Sequence, residues 1–241
     1  MKGIILAGGL GSRLYPLTAA ISKQLLPVYD KPMIYYPLSM LMFAGIREIL
    51  VITSPDQLPN FQRLLDTGEQ WGIDFSYIAQ AKPNGLADAF ILGKDFVGNN
   101  TVSLILGDNI FFGHGLPKQI AEAANLKTGA RIFAYHVQNP EHYGVIELSE
   151  DQKPIRLVEK PKMVISNLAI PGFYFYDHHV TEYAETLVPS DRGELEITDL
   201  NQIYLERDEL SVERLGRGVA WLDAGKFDTL MQASQFIQAV E

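Results

Sequence analysis

The sequence predicts an α/β fold in which helices cover both faces of a mixed, mainly parallel sheet. Three observations carry this expectation. Short apolar runs alternate with helical patterns up to about residue 130, a glycine-rich turn follows the first apolar run, and a more β-rich second half follows without a linker, repeat or low-complexity tract. Such alternation implies right-handed crossovers between parallel strands.

Taken in order, Lys2–Leu6 (KGIIL) is a buried strand that enters a tight turn at Ala7-Gly8-Gly9. Met33–Ala44 is long and apolar and is closed by Gly45, which predicts a buried helix with a glycine stop. Strands are expected at Glu48–Thr53, Phe75–Ala79 and Val102–Leu106, and helices at Leu58–Leu65, Leu86–Lys94 and Leu116–Lys127. Beyond Arg131 the alternation loosens. Arg131–Val137, Val145–Leu148, Ile155–Glu159 and Leu168–Tyr176 read as strands, His178–Leu187 and Ile197–Glu206 as helices, and Ser211–Leu215 and Val219–Leu222 as strands again. Phe227–Val240 closes the chain with apolar residues at a helical period. The expected organisation is a single domain over 1–241, with a first half to about residue 130 and a more β-rich half after it.

Composition narrows the function classes. Of 241 residues, 47% are hydrophobic and 20% charged, enough to build a core. No run of eighteen apolar residues appears, so no membrane span is expected, and Lys2 with five apolar residues runs straight into the glycine turn, unlike a signal peptide. The absence of cysteine excludes disulfides, thiolate metal sites and thiol nucleophiles and fits a cytoplasmic protein. A formal charge of −9 argues against a general nucleic-acid binder but leaves room for a small anionic substrate if a few cations converge.

The first turn reads Gly8-Gly9-Leu10-Gly11-Ser12-Arg13-Leu14. Glycines after a first strand let backbone N–H groups approach a phosphate, and Arg13 adds a planar multi-donor cation. The pattern is not a Walker loop, because no Gly-Lys pair follows, and not a dinucleotide fingerprint, because Leu14 stands where the third glycine should be. Lys23, ten residues beyond Arg13, could place a second cation around the same polyphosphate. Asp108 and Asp223 each follow an apolar run, where α/β sheets place ligands and where an acid suits a hard cation; taken alone, each fits a turn or cap role slightly better. Glu159-Lys160 alone reads as a surface pair. Gln80 alone reads equally as an ordinary surface glutamine at a strand end and as an amide that can pair with the imide edge of thymine or uracil.

The continuous stretches GGLGSRLYPLT and SKQLLPVYDKPMIYYPLS, with QAKPNGLADAF, LGDNIFFG, YGVIE, EKP, GELEITDLNQIYL and GRGVAWLDAG in the same order, resemble the sugar nucleotidyltransferase family, and within it the bacterial glucose-1-phosphate thymidylyltransferases. The resemblance implies a Rossmann-like three-layer α/β/α sandwich of the nucleotide-diphospho-sugar transferase type. It implies Mg²⁺-dependent transfer of a thymidylyl group from dTTP to glucose 1-phosphate, giving dTDP-glucose and pyrophosphate. Carried over residue by residue, it implies a metal site at Asp108 and Asp223, and catalytic cations at Arg13, Lys23 and Lys160. It implies nucleotide contacts at Leu6, Gly8, Gly9, Gly11, Ser12, Arg13, Gln24, Gln80, Pro83, Gly85, Leu86, Gly107 and Asp108. Sugar-phosphate contacts are implied at Asn109, Tyr143, Gly144, Glu159, Lys160 and Ile170. Ser12 stands where relatives usually have Thr, and Pro171 where they usually have a small polar residue. The resembled enzymes generally continue past the position of Glu241 with a helical segment used in subunit contacts and feedback inhibition. A homo-oligomer, dimer or tetramer, with reduced feedback is therefore expected. The same chemistry with UTP or another sugar 1-phosphate, a non-catalytic nucleotide-sugar sensor and an NAD-dependent oxidoreductase are the rival readings, the last disfavoured by the broken fingerprint.

Overall fold

The computed structural model describes residues 1–9 and 11–241. In the first half, β1 (Lys2–Ala7) leads through the glycine turn to a small hairpin, β2 (Pro27–Val28) and β3 (Lys31–Pro32), and then to α1 (Tyr35–Phe43). There follow β4 (Glu48–Thr53), α2 (Leu58–Leu65), β5 (Asp74–Ala79), α3 (Asp88–Leu92), α4 (Lys94–Val97), β6 (Val102–Leu106), β7 (Asn109–Gly113) and α5 (Leu116–Ala123). The second half comprises β8 (Ala130–His136), β9 (Gly144–Leu148), β10 (Pro154–Glu159), β11 (Leu168–Ala169) and β12 (Phe173–Tyr176). It ends with α6 (Val180–Glu185), α7 (Ile197–Glu206), β13 (Leu210–Arg214), β14 (Val219–Asp223) and α8 (Phe227–Val240).

A ten-stranded mixed sheet runs in the order β10-β9-β11-β8-β12-β6-β1-β4-β5, with β13 beside β8. The block β6-β1-β4-β5 is parallel, and β12 joins it antiparallel to β6. Strict alternation along the strands sends their side chains into two cores. Ile4, Leu6, Leu50, Ile52 and Leu104 meet Phe90, Val180 and Leu200 on one face. Ile5, Val51 and Ile105 meet Leu41, Phe61 and Ile120 on the other. Those two cores make the three layers expected of the α/β class. Among the described residues, no helix is long and apolar enough to cross a membrane.

Three elements differ from the sequence-based expectation, each for a local reason. The helix expected over 86–94 is two short ones hinged at Gly93, where a side chain would begin 2.9 Å from the Ala89 carbonyl. The strand expected over 168–176 breaks at Ile170-Pro171-Gly172, because the chain changes partners there. The Ile170 N–H donates to Gly144 (2.8 Å), whereas the Gly172 carbonyl accepts from Leu106 (2.9 Å). Asn109–Gly113, to which the sequence reading assigns no element, is a strand that leaves the main sheet and pairs with β14.

Phe90 is fully buried and meets Tyr176 edge-on at 5.2 Å between ring centroids, joining α3 to the sheet. Truncating Phe90 to Ala is expected to cost about 3–5 kcal/mol, read as a lowered midpoint in urea unfolding with an unchanged m-value.

Candidate active site

The carboxyl ends of β1 and β6 open side by side, where parallel sheets offer ligands backbone N–H groups and turn residues. After β1, the single-turn helix Ser12–Leu14 anchors on buried Leu14 and leaves Arg13 exposed. Its guanidinium reaches across to Gly225, where a side chain would begin 3.1 Å from Nη2. A second such turn, Lys23–Leu25, is buried at Lys23 and Gln24. Lys23 Nζ donates to the Asp108 carboxylate in a tight ion pair. The Ser22 hydroxyl donates to Gln24 Oε1 (2.6 Å), which leaves the Gln24 NH₂ group for another partner.

Asp108 lies between β6 and β7, held on its other side by Asn109 Nδ2 (3.2 Å). Asn109 is itself fixed, since its Oδ1 accepts from Trp221 Nε1 (2.6 Å) and from the Gly172 N–H (3.1 Å). The antiparallel β7–β14 pair sets Asp223 opposite Asn109 and therefore beside Asp108. This pairing brings together two aspartates that are 115 residues apart in the chain (223 − 108). Burial opposes the charge on both. At Asp108 the Lys23 charge and hydrogen bond overcome it and hold the carboxyl below the usual range. At Asp223 burial and the neighbouring Asp108 push the carboxyl up, against the pull of Lys23 and Arg13. Asp223 Oδ1 is buried and has no hydrogen-bond partner among the described residues. An orphaned carboxylate oxygen beside a second carboxylate fits a hard divalent cation, which needs only one or two protein carboxylates and completes its shell with phosphate and water. No larger acidic or histidine cluster exists among the described residues to compete for it.

The facing wall comes from the second half. Glu159 ends β10 opposite Gly144 of β9, and the Lys160 N–H donates to the Tyr143 carbonyl (3.0 Å). Lys160 adopts φ +41°, a conformation a side-chain-bearing residue holds only when its surroundings impose it, and its ammonium sits 3.5 Å from Glu159. Glu159 is oriented by the Thr198 hydroxyl (2.5 Å) and Arg192 Nη2 (3.2 Å). The Tyr143 ring packs 5.0 Å from Trp221, closing the wall against β14. Gly144 has no room for a side chain, which would begin 2.8 Å from Thr198 Oγ1 and 3.0 Å from Glu159 Oε2. Gly144→Ala is therefore expected to push Thr198 or Glu159 aside at a cost of about 1–3 kcal/mol, read as a lowered midpoint in urea unfolding.

One cavity of about 640 Å³ lies between the walls, a size that suits a small-molecule substrate. Of the expected residues, Arg13, Leu86, Asp108, Asn109, Tyr143, Gly144, Glu159, Lys160, Ile170 and Asp223 line it. Lys23 stands behind Asp108, and Gly107 donates its N–H to Leu6 (2.9 Å) at the sheet end. Gly8, Gly9, Gly11, Ser12 and Gln24 follow β1, while Gln80, Pro83 and Gly85 follow β5; none of these is in the cavity lining. Gly85, at φ +111°, lets residues 84–87 run against Leu195, where a side chain would collide with the Leu195 carbonyl. Arg192, Thr198 and Trp221 also line the cavity, although sequence reasoning did not single them out. Arg192 lies in a turn with no periodicity to mark it, and Thr198 and Trp221 read as ordinary helix and strand positions.

A glycine turn with cations beside a carboxylate pair suits a polyphosphate, and the glutamate-lined wall opposite suits the hydroxyls of a sugar. A transferase that joins the two is the class this fold and cleft define. The chain belongs to the nucleotidyl transferase family, which it matches over residues 2–240. It is 56% identical over 241 residues to a glucose-1-phosphate thymidylyltransferase of Neisseria meningitidis, covering 100% of this chain and 84% of that protein. It is 57% identical over 241 residues to one from Mycolicibacterium smegmatis, covering 100% and 83%. The fold superposes with a TM-score of 0.92 and 41% identity on a Bacillus anthracis protein described as a glucose-1-phosphate thymidylyltransferase and crystallised with sucrose, covering 100% of this chain and 96% of that one.

Proposed function

We propose that the protein transfers a thymidylyl group from dTTP to α-D-glucose 1-phosphate, giving dTDP-glucose and pyrophosphate. The observation that carries this reading is the β7–β14 pairing, with Asp223 across from Asn109 and beside Asp108 in a cavity that also holds Arg13 and Lys160. The thymidylyltransferase relatives, alike over the whole of this chain, support the same substrates.

In the proposed reaction, a phosphate oxygen of glucose 1-phosphate attacks the α-phosphorus in line. A P–O bond forms to the sugar phosphate as the bond to the β-phosphate breaks, and pyrophosphate departs with the electron pair. The nucleophile is already an anion, so no side chain has to remove a proton, and catalysis comes from alignment and charge neutralisation. Asp108 and Asp223 would hold Mg²⁺, which when bound supplies Lewis-acid charge neutralisation at the phosphates. Arg13 neutralises charge on the α- and leaving phosphates from the glycine turn. Lys23 keeps Asp108 ionised and in place, and Lys160 steers the sugar phosphate. Glu159, Tyr143, Gly144 and the Ile170 backbone receive the sugar, with Asn109 braced behind them. Gln80 reads the imide edge of the base, with Pro83, Gly85 and Leu86 beside it.

A pyrophosphate-release screen of dTTP, UTP, dCTP and dATP against glucose 1-phosphate, galactose 1-phosphate and glucosamine 1-phosphate tests this. The dTTP and glucose 1-phosphate pair should turn over fastest, with UTP next because it shares the imide edge. Failure of every pair to release pyrophosphate would leave a nucleotide-sugar sensor instead. A homo-oligomer is part of the same reading, supported by Phe112 of β7 and Phe227 and Met231 of α8, which stay exposed on this chain.

A further inference from the structure

We infer that Asp88 fixes the direction in which Gln80 presents its amide, and thereby makes the site select a base with an imide edge over cytosine. Both side chains are buried, Gln80 to 6% and Asp88 to 7% exposure, and Gln80 Nε2 donates to Asp88 Oδ2 at 2.7 Å. The backbone of Gln80 is tied as well, its N–H donating to the Thr53 carbonyl (2.7 Å). An amide alone can be turned over at little cost, exchanging donor for acceptor. Beside a carboxylate, which only accepts, it cannot. Turning it over would set Gln80 Oε1 against Asp88 and leave two buried acceptors facing each other without a proton.

The locked direction points Gln80 Oε1 at the glycine turn. A side chain on Gly8 would begin 2.6 Å from it, and Oε1 accepts no hydrogen bond among the described residues. One N–H of the amide is spent on Asp88, so the edge left open is an acceptor next to a donor. Thymine and uracil offer the complement, an N3–H beside a carbonyl oxygen. Cytosine offers the reverse, a bare N3 beside an amino group, and so does adenine. Position at the first turn of α3 gives Asp88 a helix-dipole role too, but that role needs no contact with Gln80. Asp88 is thus a positioning residue for base selection, acting through Gln80.

The inference rests on the reading that Gln80 meets the base, and the test separates the two. Calorimetric Kd values for dTTP and dCTP, with sugar phosphate withheld, and kcat/KM for both nucleotides are measured for the wild type, Asp88→Asn, Asp88→Ala and Gln80→Ala. Asparagine is isosteric but can donate or accept, so the amide is released while the fold keeps its shape. The expected result is a fall of about tenfold in the dTTP-to-dCTP preference for Asp88→Asn, driven by a gain for dCTP, with KM for glucose 1-phosphate unchanged. If Gln80→Ala erases the preference and neither Asp88 variant moves it, the role of Asp88 is overturned while the base-reading role of Gln80 stands. Equal losses for both nucleotides in the Asp88 variants overturn it too, as a purely structural contribution. If Gln80→Ala leaves the preference intact, the base-reading role falls and the inference with it.

Discussion

Asp108→Asn and Asp223→Asn are each expected to lower kcat by about 10²–10³-fold, with the double substitution little worse than either one because the two carboxylates act as a unit. Asparagine keeps the shape of each side chain and removes the charge that would hold the cation. The two variants should part company in stability. Asp223 carries its charge against burial and against Asp108, and its Oδ1 has no partner among the described residues, so Asp223→Asn should melt at or above the wild type. Asp108→Asn instead strips the buried Lys23 ammonium of its counter-ion and should melt lower. Steady-state kinetics with thermal unfolding of the same preparations reads both. Equal destabilisation of the two variants would show that Asp223 serves the fold rather than the substrate.

Arg13→Ala is the second large effect, again about 10²–10³-fold in kcat, but with stability within roughly 0.5 kcal/mol of the wild type. Arg13 is exposed, makes no ion pair among the described residues, and sits on a turn that buried Leu14 secures without it. Loss of rate without loss of fold identifies a group whose partner arrives with the substrate. Arg13→Lys should recover part of the rate, because a lysine restores the charge and not the planar fork that grips two phosphate oxygens. Single-turnover measurements separate the step. A change confined to KM for dTTP would reduce Arg13 to a binding contact.

The sequence made the first half legible because periodicity and punctuation agree there. Glu48–Thr53, Leu58–Leu65 and Val102–Leu106 fall where alternation, helical period and turn residues coincide. It was less legible where backbone partners decide the outcome. Pro171 and Gly172 sit in an apolar run that looks like one strand, and only the exchange of partners between Gly144 and Leu106 divides it. The same holds at the candidate site. Asp108 and Asp223 could each be suspected as a strand-end acid, but their adjacency depends on β7, which a five-residue run after a Gly-Asp turn does not announce. Arg192 and Thr198 reach the cavity only because α7 and the segment before it fold over β10, and the Gln80–Asp88 contact needs the loop after β5 to return on itself. Resemblance supplied the roles of such residues; spacing alone left their alternatives open.

The proposed reaction depends on one divalent cation shared by the carboxylates of residues 108 and 223 and facing the reacting phosphates. Anomalous diffraction from crystals grown with Mn²⁺ and dTDP-glucose measures this directly. A single manganese peak within coordinating distance of both carboxylates and of a phosphate oxygen is the predicted result, absent in Asp223→Asn crystals prepared alike. A well-ordered nucleotide sugar in the cavity with no manganese at either carboxylate, or with the metal held elsewhere, would contradict it.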